Sequence, residues 1–292
     1  MKNNKLTVSE LILNKDGSIY HLKLKPEDIA TTVITVGDPE RVETVSNKFD
    51  SIRMKRTCRE FVTHTGIFKG KEISVISTGI GTDNVDIVLN ELDALVNIDL
   101  DKRAIKEKHT SLDIFRIGTS GTIQSNIPID SLLISNAAVG LDGLLPFYGK
   151  GLNSTHAFTS SLHMNFQDQL PPCFYARSSE RLKSLFEDDT NFISGTTLTM
   201  PGFYAPQGRA IRFEHPIPSM MEKLANFEYL GEKLTNIEME TAGIYGLSNI
   251  LGHSAISVNA ILANRMSGEF SKNAEETVNK AIDLTLEKII SL

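Results

Sequence analysis

The sequence predicts an α/β fold with a central sheet. Short β-branched, apolar segments alternate along the chain with segments whose apolar residues recur at helical spacing. The 292 residues suffice for one large α/β domain or two small ones, and no repeat, low-complexity tract or Pro/Gly-rich linker divides them. We therefore expect a single domain over residues 1–292, with residues 1–18 as an N-terminal extension.

In the first half of the chain, β-branched runs predict the strands, and several of these runs end at glycines. Residues 31–36 (TTVITV) are typical of a strand buried on both faces, and Pro39 after Gly37-Asp38 favours a helix. The apolar residues 114–117 predict a strand that enters a glycine-rich turn over 118–121. The predicted order is a strand over 31–36, a helix over 40–47, a strand over 73–77, a helix through 85–96, a solvated charged segment over 101–109, and strands over 114–117 and 132–138.

The second half of the chain begins with a region that has no clear periodicity. Residues 140–170 are therefore expected to form irregular loops. Helical spacing predicts a helix over 240–250 that stops at Gly252, and residues 255–263 predict a strand. An amphipathic helix over 273–292 closes the chain.

Composition and charge exclude several classes of protein. Apolar residues make up 40% and charged residues 23% of the chain, which excludes disordered and fibrous proteins. The formal net charge of -6 argues against a nucleic-acid partner. Cys58 and Cys173 lie far apart without histidines at ligand spacing, and no stretch approaches the roughly 20 apolar residues that span a bilayer. We expect a cytoplasmic protein with no disulfide, zinc site or membrane partner.

A glycine loop gives a first hypothesis, a Rossmann-type dehydrogenase. Gly79-Ile80-Gly81 follows a strand and precedes a helix, as in a dinucleotide-binding fingerprint. Asn84 stands where the third glycine would be, no ribose-binding acid follows, and no lysine completes a P-loop. This hypothesis is the weakest of those considered.

Two arginines beside glycine-rich segments favour an anion site. Arg41 lies in the first turn of a predicted helix, and Arg116 lies inside an otherwise apolar strand. A buried arginine is costly unless it is paired. A structural salt bridge is the simpler interpretation for either residue alone, whereas the two together favour an oxyanion such as phosphate.

The triplet Glu238-Met239-Glu240 stands where a segment meets a helix. One interpretation is a first-turn glutamate that complements the helix dipole. The other is a carboxylate that accepts hydrogen bonds from sugar hydroxyls. The triplet alone does not separate them.

Taken together, these motifs resemble the nucleoside phosphorylase superfamily, specifically its uridine phosphorylase branch. The resemblance runs from about His21 to about Arg265, and the order of the motifs is specific. The matching segments are Val36-Gly37-Asp38-Pro39-Glu40-Arg41, Arg59-Glu60-Phe61, Ser77-Thr78-Gly79-Ile80-Gly81, Arg116-Ile117-Gly118-Thr119-Ser120-Gly121, Glu238-Met239-Glu240 and Asn264-Arg265. The resemblance implies a three-layer α/β/α sandwich with a central mixed, partly barrel-like sheet.

The resemblance also implies roles for individual residues. Phosphate would be held by Gly37, Arg41, Arg116 and Thr119, together with Arg59 lent by a neighbouring subunit. Ribose would be held by Thr119, Met239 and Glu240, the last on the 2′- and 3′-hydroxyls, and by His21, which crosses the same interface to the 5′-hydroxyl. Glu238 has no definite implied role. Shared sites require a homo-oligomer, either a dimer or a hexamer built as a trimer of dimers.

Base recognition depends on residues 203–209 (FYAPQGR) in this resemblance. Phe203 would stack on the pyrimidine, while Gln207 and Arg209 bond to the uracil edge, and the catalytic set would be Arg116, Gln207, Arg209 and Glu240. Without the resemblance, a surface turn with a solvated arginine would be the simpler interpretation. Purine-cleaving relatives carry an aspartate after the late strand, whereas residues 258–265 (VNAILANR) contain no acid, and Arg265 would support the base-binding loop.

The implied activity is reversible phosphorolysis of uridine to uracil and ribose 1-phosphate. Alternatives are a purine nucleoside phosphorylase, a nucleosidase of the same fold, or a non-catalytic nucleoside-binding protein. We expect no organic cofactor and no metal. Glu60 and Ile80 match the branch's monovalent-cation site, but Asn84 replaces its serine, which argues against that cation. Residues 97–111 are longer than in short members of the family.

Overall fold

A computed structural model describes residues 5–149, 156–167 and 169–292. The strands are β1 Thr32–Val36, β2 Ser51–Cys58, β3 Phe61–Phe68, β4 Lys71–Ser77, β5 Ile98–Asp99, β6 Ala104–Ile105, β7 Asp113–Thr122, β8 Leu132–Gly140, β9 Phe174–Arg177, β10 Phe192–Thr199, β11 Glu228–Tyr229, β12 Glu232–Glu238, β13 Ser254–Asn264 and β14 Glu269–Phe270. The α-helices are α1 Pro39–Ser46, α2 Thr82–Asn97, α3 Ala157–Asn165, α4 Glu180–Lys183, α5 Met220–Asn226, α6 Thr241–Leu251 and α7 Ala274–Ile290.

One mixed sheet organises the fold, with the strand order β11-β12-β10-β8-β13-β7-β1-β4-β3-β2. Strand β7 pairs in parallel with both β1 and β13. The end of β12 also pairs with β7, Asn236 with Thr122 and Ile237 with Gly121. This extra pairing joins β7, β13, β8, β10 and β12 into a closed ring. The partly barrel-like mixed sheet is therefore confirmed.

Helices cover both faces of the central strands. Successive side chains of β1 and β7 point to opposite faces. Val33 and Ile114 pack with α2 and α6, whereas Ile34 and Phe115 pack with α1 and α7. Burial of each such side chain stabilises the fold by roughly 1.5–3 kcal/mol relative to exposure. The three-layer α/β/α arrangement is confirmed.

Most predicted elements occur within a few residues of their expected bounds, because local signals fix their ends. Helix α1 begins at Pro39, and the Asp38 carboxylate accepts a hydrogen bond from the Glu40 amide at 2.9 Å. Helix α6 ends at Gly252, whose φ of +78° is the left-handed conformation that favours glycine.

The glycine-rich turn expected over 118–121 is wrong. Strand β7 continues without a break through these residues and pairs with β13. Gly118 has a different purpose, because the Arg116 guanidinium lies directly over it. A Cβ added at Gly118 would lie 2.5 Å from Arg116 Nη2 and closer still to Nη1 and Cζ. The glycine makes room for a buried side chain rather than for a chain reversal.

The irregular loops expected over 140–170 are also only partly observed. This region contains a 3-10 turn over Leu145–Tyr148 and helix α3. Helix α3 buries Phe158 and Leu162 in a separate apolar cluster with Leu224 of α5 and Leu234 of β12. These partners lie far away in sequence, so local periodicity could not indicate the helix.

The N-terminal extension and the charged segment after α2 pack against each other. Leu6 N donates to Arg103 O at 2.8 Å, and Arg103 Nη1 donates to Thr7 O at 3.3 Å. Within 101–109, only the two residues of β6 are extended, and they pair with β5. Among the described residues, no helix combines the length and apolar character needed to cross a bilayer.

Candidate active site

A buried ion cluster lies where β7, β12 and α6 meet. Arg116 Nη2 is 2.6 Å from Glu240 Oε2 and 3.0 Å from Glu238 Oε2. The three side chains are at most 9% exposed. The anions that face Arg116 in this structure are therefore carboxylates of the same chain. This is the structural salt bridge that the sequence left open for this residue.

Two polar residues of β13 complete the surroundings of Arg116. Its Nη1 donates to Asn259 Oδ1 at 2.9 Å and to Ser257 Oγ at 3.3 Å. Sequence reasoning did not single out either residue, although a polar pair within the apolar run 255–263 is a detectable signal. The guanidinium is thus held in one orientation from both sides.

Glu238 and Glu240 have different tasks. Glu238 Oε2 accepts hydrogen bonds from the Glu240 amide at 2.9 Å and from the Thr241 amide and hydroxyl, both at 2.8 Å. Glu238 therefore caps the start of α6. Met239 between the two glutamates is half-buried.

Glu240 reaches the start of α2. Its Oε1 accepts a hydrogen bond from the Gly81 amide at 2.8 Å. Burial and the neighbouring Glu238 carboxylate raise the pKa of Glu240, although Arg116 opposes them. The glycine loop thus donates to a carboxylate of its own chain, at the place where a dinucleotide fingerprint would meet a pyrophosphate.

Arg41 adds a second cation near this cluster. It is half-buried, and its Nη1 makes a long contact of 3.5 Å to Ile117 O. Within 5–149, 156–167 and 169–292, no carboxylate forms an ion pair with it. Burial lowers the pKa of Arg41, and repulsion from Arg116 acts in the same direction. A half-buried arginine without a counter-ion favours an external anion.

Gly37 and Thr119, two other residues expected at a phosphate site, lie beyond Arg116 towards the carboxyl ends of β1 and β7. Thr35 of β1 pairs with Arg116 of β7, so Gly37 comes just beyond the carboxyl end of β1. A Cβ on Gly37 would approach Gly79 O to 3.4 Å. Thr119 lies three residues beyond Arg116 on β7 and is half-buried. The carboxyl ends of parallel strands are where α/β sheets bind ligands.

Phe203, Gln207 and Arg209 form a compact group after β10. Arg209 Nη1 donates to Gln207 Oε1 at 2.7 Å and to Phe203 O at 2.6 Å, and its Cζ lies 3.8 Å from the centroid of the Phe203 ring. Gly208 has a φ of +71°, which lets the chain turn between the two polar side chains. Burial, together with repulsion from Arg265, lowers the pKa of Arg209 to about 10. The three sequence-predicted base-site residues are thus neighbours.

His21 and Arg59 meet on another surface. The Arg59 guanidinium lies 5.2 Å from the centroid of the Tyr20 ring, whose edge packs on His21 with centroids 4.7 Å apart. Arg59 is exposed at the turn between β2 and β3. Within the described residues, neither His21 nor Arg59 bonds to the Arg116 cluster. Both residues therefore lie outside the Arg116 cluster of their own chain.

Glu60, Ile80 and Asn84, the positions at which the resemblance suggested a monovalent cation, lie around Gly79. A Cβ on Gly79 would lie 2.5 Å from Asn84 Nδ2 and 3.7 Å from Glu60 Cγ. Asn84 Nδ2 also donates to Ile80 O at 3.5 Å. The amide hydrogen of Asn84 therefore points to the carbonyl that a cation would need, and the predicted lack of a cation stays a prediction.

Asp93, His109 and His253 form a further cluster of possible metal ligands. The Leu112 amide donates to His253 Nδ1 at 3.1 Å, which leaves the hydrogen of the neutral ring on Nε2. That nitrogen lies 3.3 Å from Asp93 Oδ1. In this tautomer Nε2 carries a hydrogen and not the lone pair that a metal ligand needs, and it makes no hydrogen bond within the described residues.

Comparison with known proteins places this geometry in a family. The model of the phosphorylase superfamily matches residues 31–291. The uridine phosphorylase of Thermococcus kodakarensis is 33% identical over 273 residues, which cover 93% of this chain and 87% of that protein. A DeoD-type purine nucleoside phosphorylase of Shewanella loihica is 26% identical over 275 residues, which cover 93% and 98%.

A solved structure extends the likeness to three dimensions. A Trypanosoma brucei nucleoside phosphorylase, described as showing uridine phosphorylase activity, superposes with a TM-score of 0.86 at 30% identity. The match covers 97% of this chain and all of that one. The dehydrogenase hypothesis is therefore wrong. The chain belongs to the phosphorylase superfamily and is a pentosyltransferase of the nucleoside phosphorylase kind.

Proposed function

We propose that the protein is a uridine phosphorylase, which converts uridine and phosphate reversibly to uracil and ribose 1-phosphate. The observation that carries this proposal is the joined pair of Gln207 and Arg209, with Nη1 and Oε1 2.7 Å apart, beside Phe203. An amide and a guanidinium side by side match the alternating O2, N3 and O4 edge of uracil. A shared fold alone would not separate pyrimidine from purine.

The phosphate site in this proposal combines Gly37, Arg41, Arg116 and Thr119 with Arg59 from a neighbouring subunit. Arg41 and Arg116 together only balance Glu238 and Glu240, so phosphate would bring negative charge that one subunit does not offset. A third arginine offsets most of that deficit. Arg59 is exposed, which leaves it accessible to another subunit.

The ribose site uses Thr119, Met239, Glu240 and, from the neighbouring subunit, His21. Arg116 holds one Glu240 oxygen and the Gly81 amide holds the other. Phosphate that takes over part of the Arg116 guanidinium would loosen Glu240. The freed carboxylate would then accept hydrogen bonds from the 2′- and 3′-hydroxyls, so phosphate prepares the ribose site.

Bond breaking follows from this placement. As the glycosidic bond lengthens, the sugar gains positive charge and the base gains negative charge. Phosphate on the opposite face of the ribose offsets the first and attacks C1′, while Arg209 and Gln207 stabilise the departing base. Positioning and electrostatics supply the catalysis without a protein nucleophile or organic cofactor.

A purine nucleoside phosphorylase is the second candidate, because relatives of that kind are 26% identical to this chain. Such an enzyme needs an acid to protonate the leaving purine, and residues 258–265 offer none. Asn264 there is occupied, since its Oδ1 accepts from the Met266 and Ser267 amides at 2.9 and 3.1 Å. A nucleosidase would leave Arg41 without a counter-ion, and a nucleoside-binding protein would release no base.

Base preference is tested with a panel of substrates. Purified protein is incubated with uridine, thymidine and inosine in saturating phosphate, and free base is followed by chromatography. The proposal predicts rapid release of uracil and little hypoxanthine, while thymidine reports whether a 2′-deoxynucleoside with a 5-methylated base is accepted. Preferential cleavage of inosine would overturn the base-site assignment in favour of the purine enzyme.

A further inference from the structure

The Glu91 carboxylate makes four hydrogen bonds to two consecutive residues, which is more than an ordinary surface glutamate makes. Glu91 lies on α2, and its carboxylate is only 13% exposed. Both of its oxygens accept from the His21 amide, at 2.9 and 3.0 Å, and Oε2 also accepts from the Leu22 amide at 2.8 Å. In addition, Oε1 lies 2.6 Å from His21 Nδ1.

The first three bonds fix the backbone, whereas the fourth fixes the imidazole ring. An ionised carboxylate can only accept, so the hydrogen of the neutral ring must be on Nδ1. Nε2 then keeps its lone pair and can accept a hydrogen bond. Two bonds from one carboxylate to one residue also set the direction of the ring.

We propose that Glu91 is a positioning residue that presents His21 Nε2 as a hydrogen-bond acceptor to the ribose 5′-hydroxyl bound by a neighbouring subunit. This inference rests on the proposed function. Glu91 touches no substrate in it and acts through His21. The pocket would consequently favour nucleosides whose 5′-group donates a hydrogen bond.

The surroundings of His21 support this direction. Tyr20 packs edge-on against the ring, and Arg59 lies over Tyr20. The segment around His21 and the β2–β3 turn therefore form one unit that is tied to α2 by Glu91. A neighbouring subunit would receive His21 and Arg59 together from this unit.

The variant Glu91→Gln separates the two tasks of the carboxylate. Its amide oxygen can still accept from the backbone amides of residues 21 and 22. Its NH2 group then faces His21 Nδ1 and donates to it, which moves the ring hydrogen to Nε2. The variant therefore keeps the hydrogen bonds to the backbone, while His21 Nε2 changes from a hydrogen-bond acceptor to a donor.

Three substrates reveal the change at Nε2. 5′-Amino-5′-deoxyuridine carries an ammonium that only donates, uridine carries a hydroxyl that can also accept, and 5′-deoxyuridine lacks the group. In Glu91→Gln we expect kcat/KM to fall about tenfold for the amino substrate, less for uridine and not at all for 5′-deoxyuridine. The KM for phosphate should stay unchanged.

Asp93→Asn is the matched control, because Asp93 is also a carboxylate on α2 that faces a histidine. Its partner is His253, and it makes no bond to His21. This variant should treat the three substrates as the wild type does. The ring nitrogens of His21 give a second readout, since ¹⁵N NMR should show the Nδ1–H tautomer in the wild type and the Nε2–H tautomer in Glu91→Gln.

The outcomes distinguish a failure of the proposed role of Glu91 from a failure of the proposed enzyme activity. Equal losses for all three substrates, or an unchanged tautomer, would show that Glu91 is only a structural anchor. Failure of the wild type to release uracil from uridine in phosphate would instead refute the proposed uridine phosphorylase itself.

Discussion

At the scale of single residues, Arg209 is the side chain on which the proposed base chemistry depends most. It is the positive charge nearest Gln207, and it would meet the negative charge that develops on the leaving base. Arg209→Ala should lower kcat/KM for uridine by about 3 kcal/mol of transition-state stabilisation, as for loss of an oxyanion donor. Arg212→Ala, an exposed arginine of the same loop, is the control and should change little. Wild-type uridine kinetics in Arg209→Ala would show that the base lies elsewhere.

Glu240 predicts how activity depends on pH. Its pKa lies above the ordinary value of 4.5 because burial and Glu238 disfavour its charge. Only the ionised carboxylate can accept from both ribose hydroxyls. As pH falls, kcat/KM for the nucleoside should therefore decline through a pKa above 4.5, while circular dichroism shows the fold intact. Full activity maintained down to pH 4.5 would contradict the role of Glu240.

Single residues also show which parts of the site could be predicted from the sequence. The motifs indicated Arg41, Arg116 and Glu240, since each stands out as charged beside glycine or at a helix start. They could not indicate which anion Arg116 meets, because its partners Glu238 and Glu240 come from more than a hundred positions later in the chain. Glu91 had no signal, since it is one of several acids on an amphipathic helix.

At the scale of elements, strand β7 carries both the core and the site. Gly118 lets the Arg116 guanidinium lie flat on this strand, and the guanidinium is held on both sides, so it cannot easily move aside. Gly118→Ala should displace it, raise the KM for phosphate at least tenfold and cost about 1–3 kcal/mol of unfolding free energy. This variant is cleaner than Arg116→Ala, which would leave two buried carboxylates unpaired.

Gly121 offers the control on the same strand. A Cβ there would make only ordinary contacts, 3.6 Å from Ala263 Cβ. Gly121→Ala should keep a phosphate KM and a urea midpoint close to wild type. If both variants behave alike, the space above Gly118 does not matter for Arg116.

The elements that sequence reasoning missed share a physical cause. β-branched runs such as β1 carry their own signal, because both faces are buried and every residue is β-branched. Helix α3 is stabilised by contacts with α5 and β12, which no local window contains. The segment 118–121 suggested a turn because glycine usually marks one, whereas here the absence of a Cβ serves a long-range contact.

At the scale of the whole molecule, the ring closed by β7 and β12 brings Glu238 and Glu240 to Arg116. The pairing of β12 with β7 depends on the three-dimensional path of five strands, so the sequence alone could not fix it. Only the resemblance to a family implied a barrel-like sheet.

The proposed sharing of sites between subunits can be tested by mixing variants. Arg41→Ala damages the site of its own subunit, whereas Arg59→Ala damages that of its neighbour. Each variant alone should bind phosphate poorly. After the two are unfolded and refolded together, about a quarter of the sites should be intact, because each mixed pair contains one site with both arginines. No recovery of activity above the separate variants would contradict a shared site.

The most direct test of the proposed function is the phosphate requirement of uridine cleavage together with the identity of the sugar product. Uridine is incubated with the protein, with and without phosphate, and the products are followed by chromatography and ³¹P NMR. We predict that uracil and ribose 1-phosphate appear in equal amounts, and only when phosphate is present. Uracil released with free ribose in the absence of phosphate would contradict the proposal and indicate a nucleosidase.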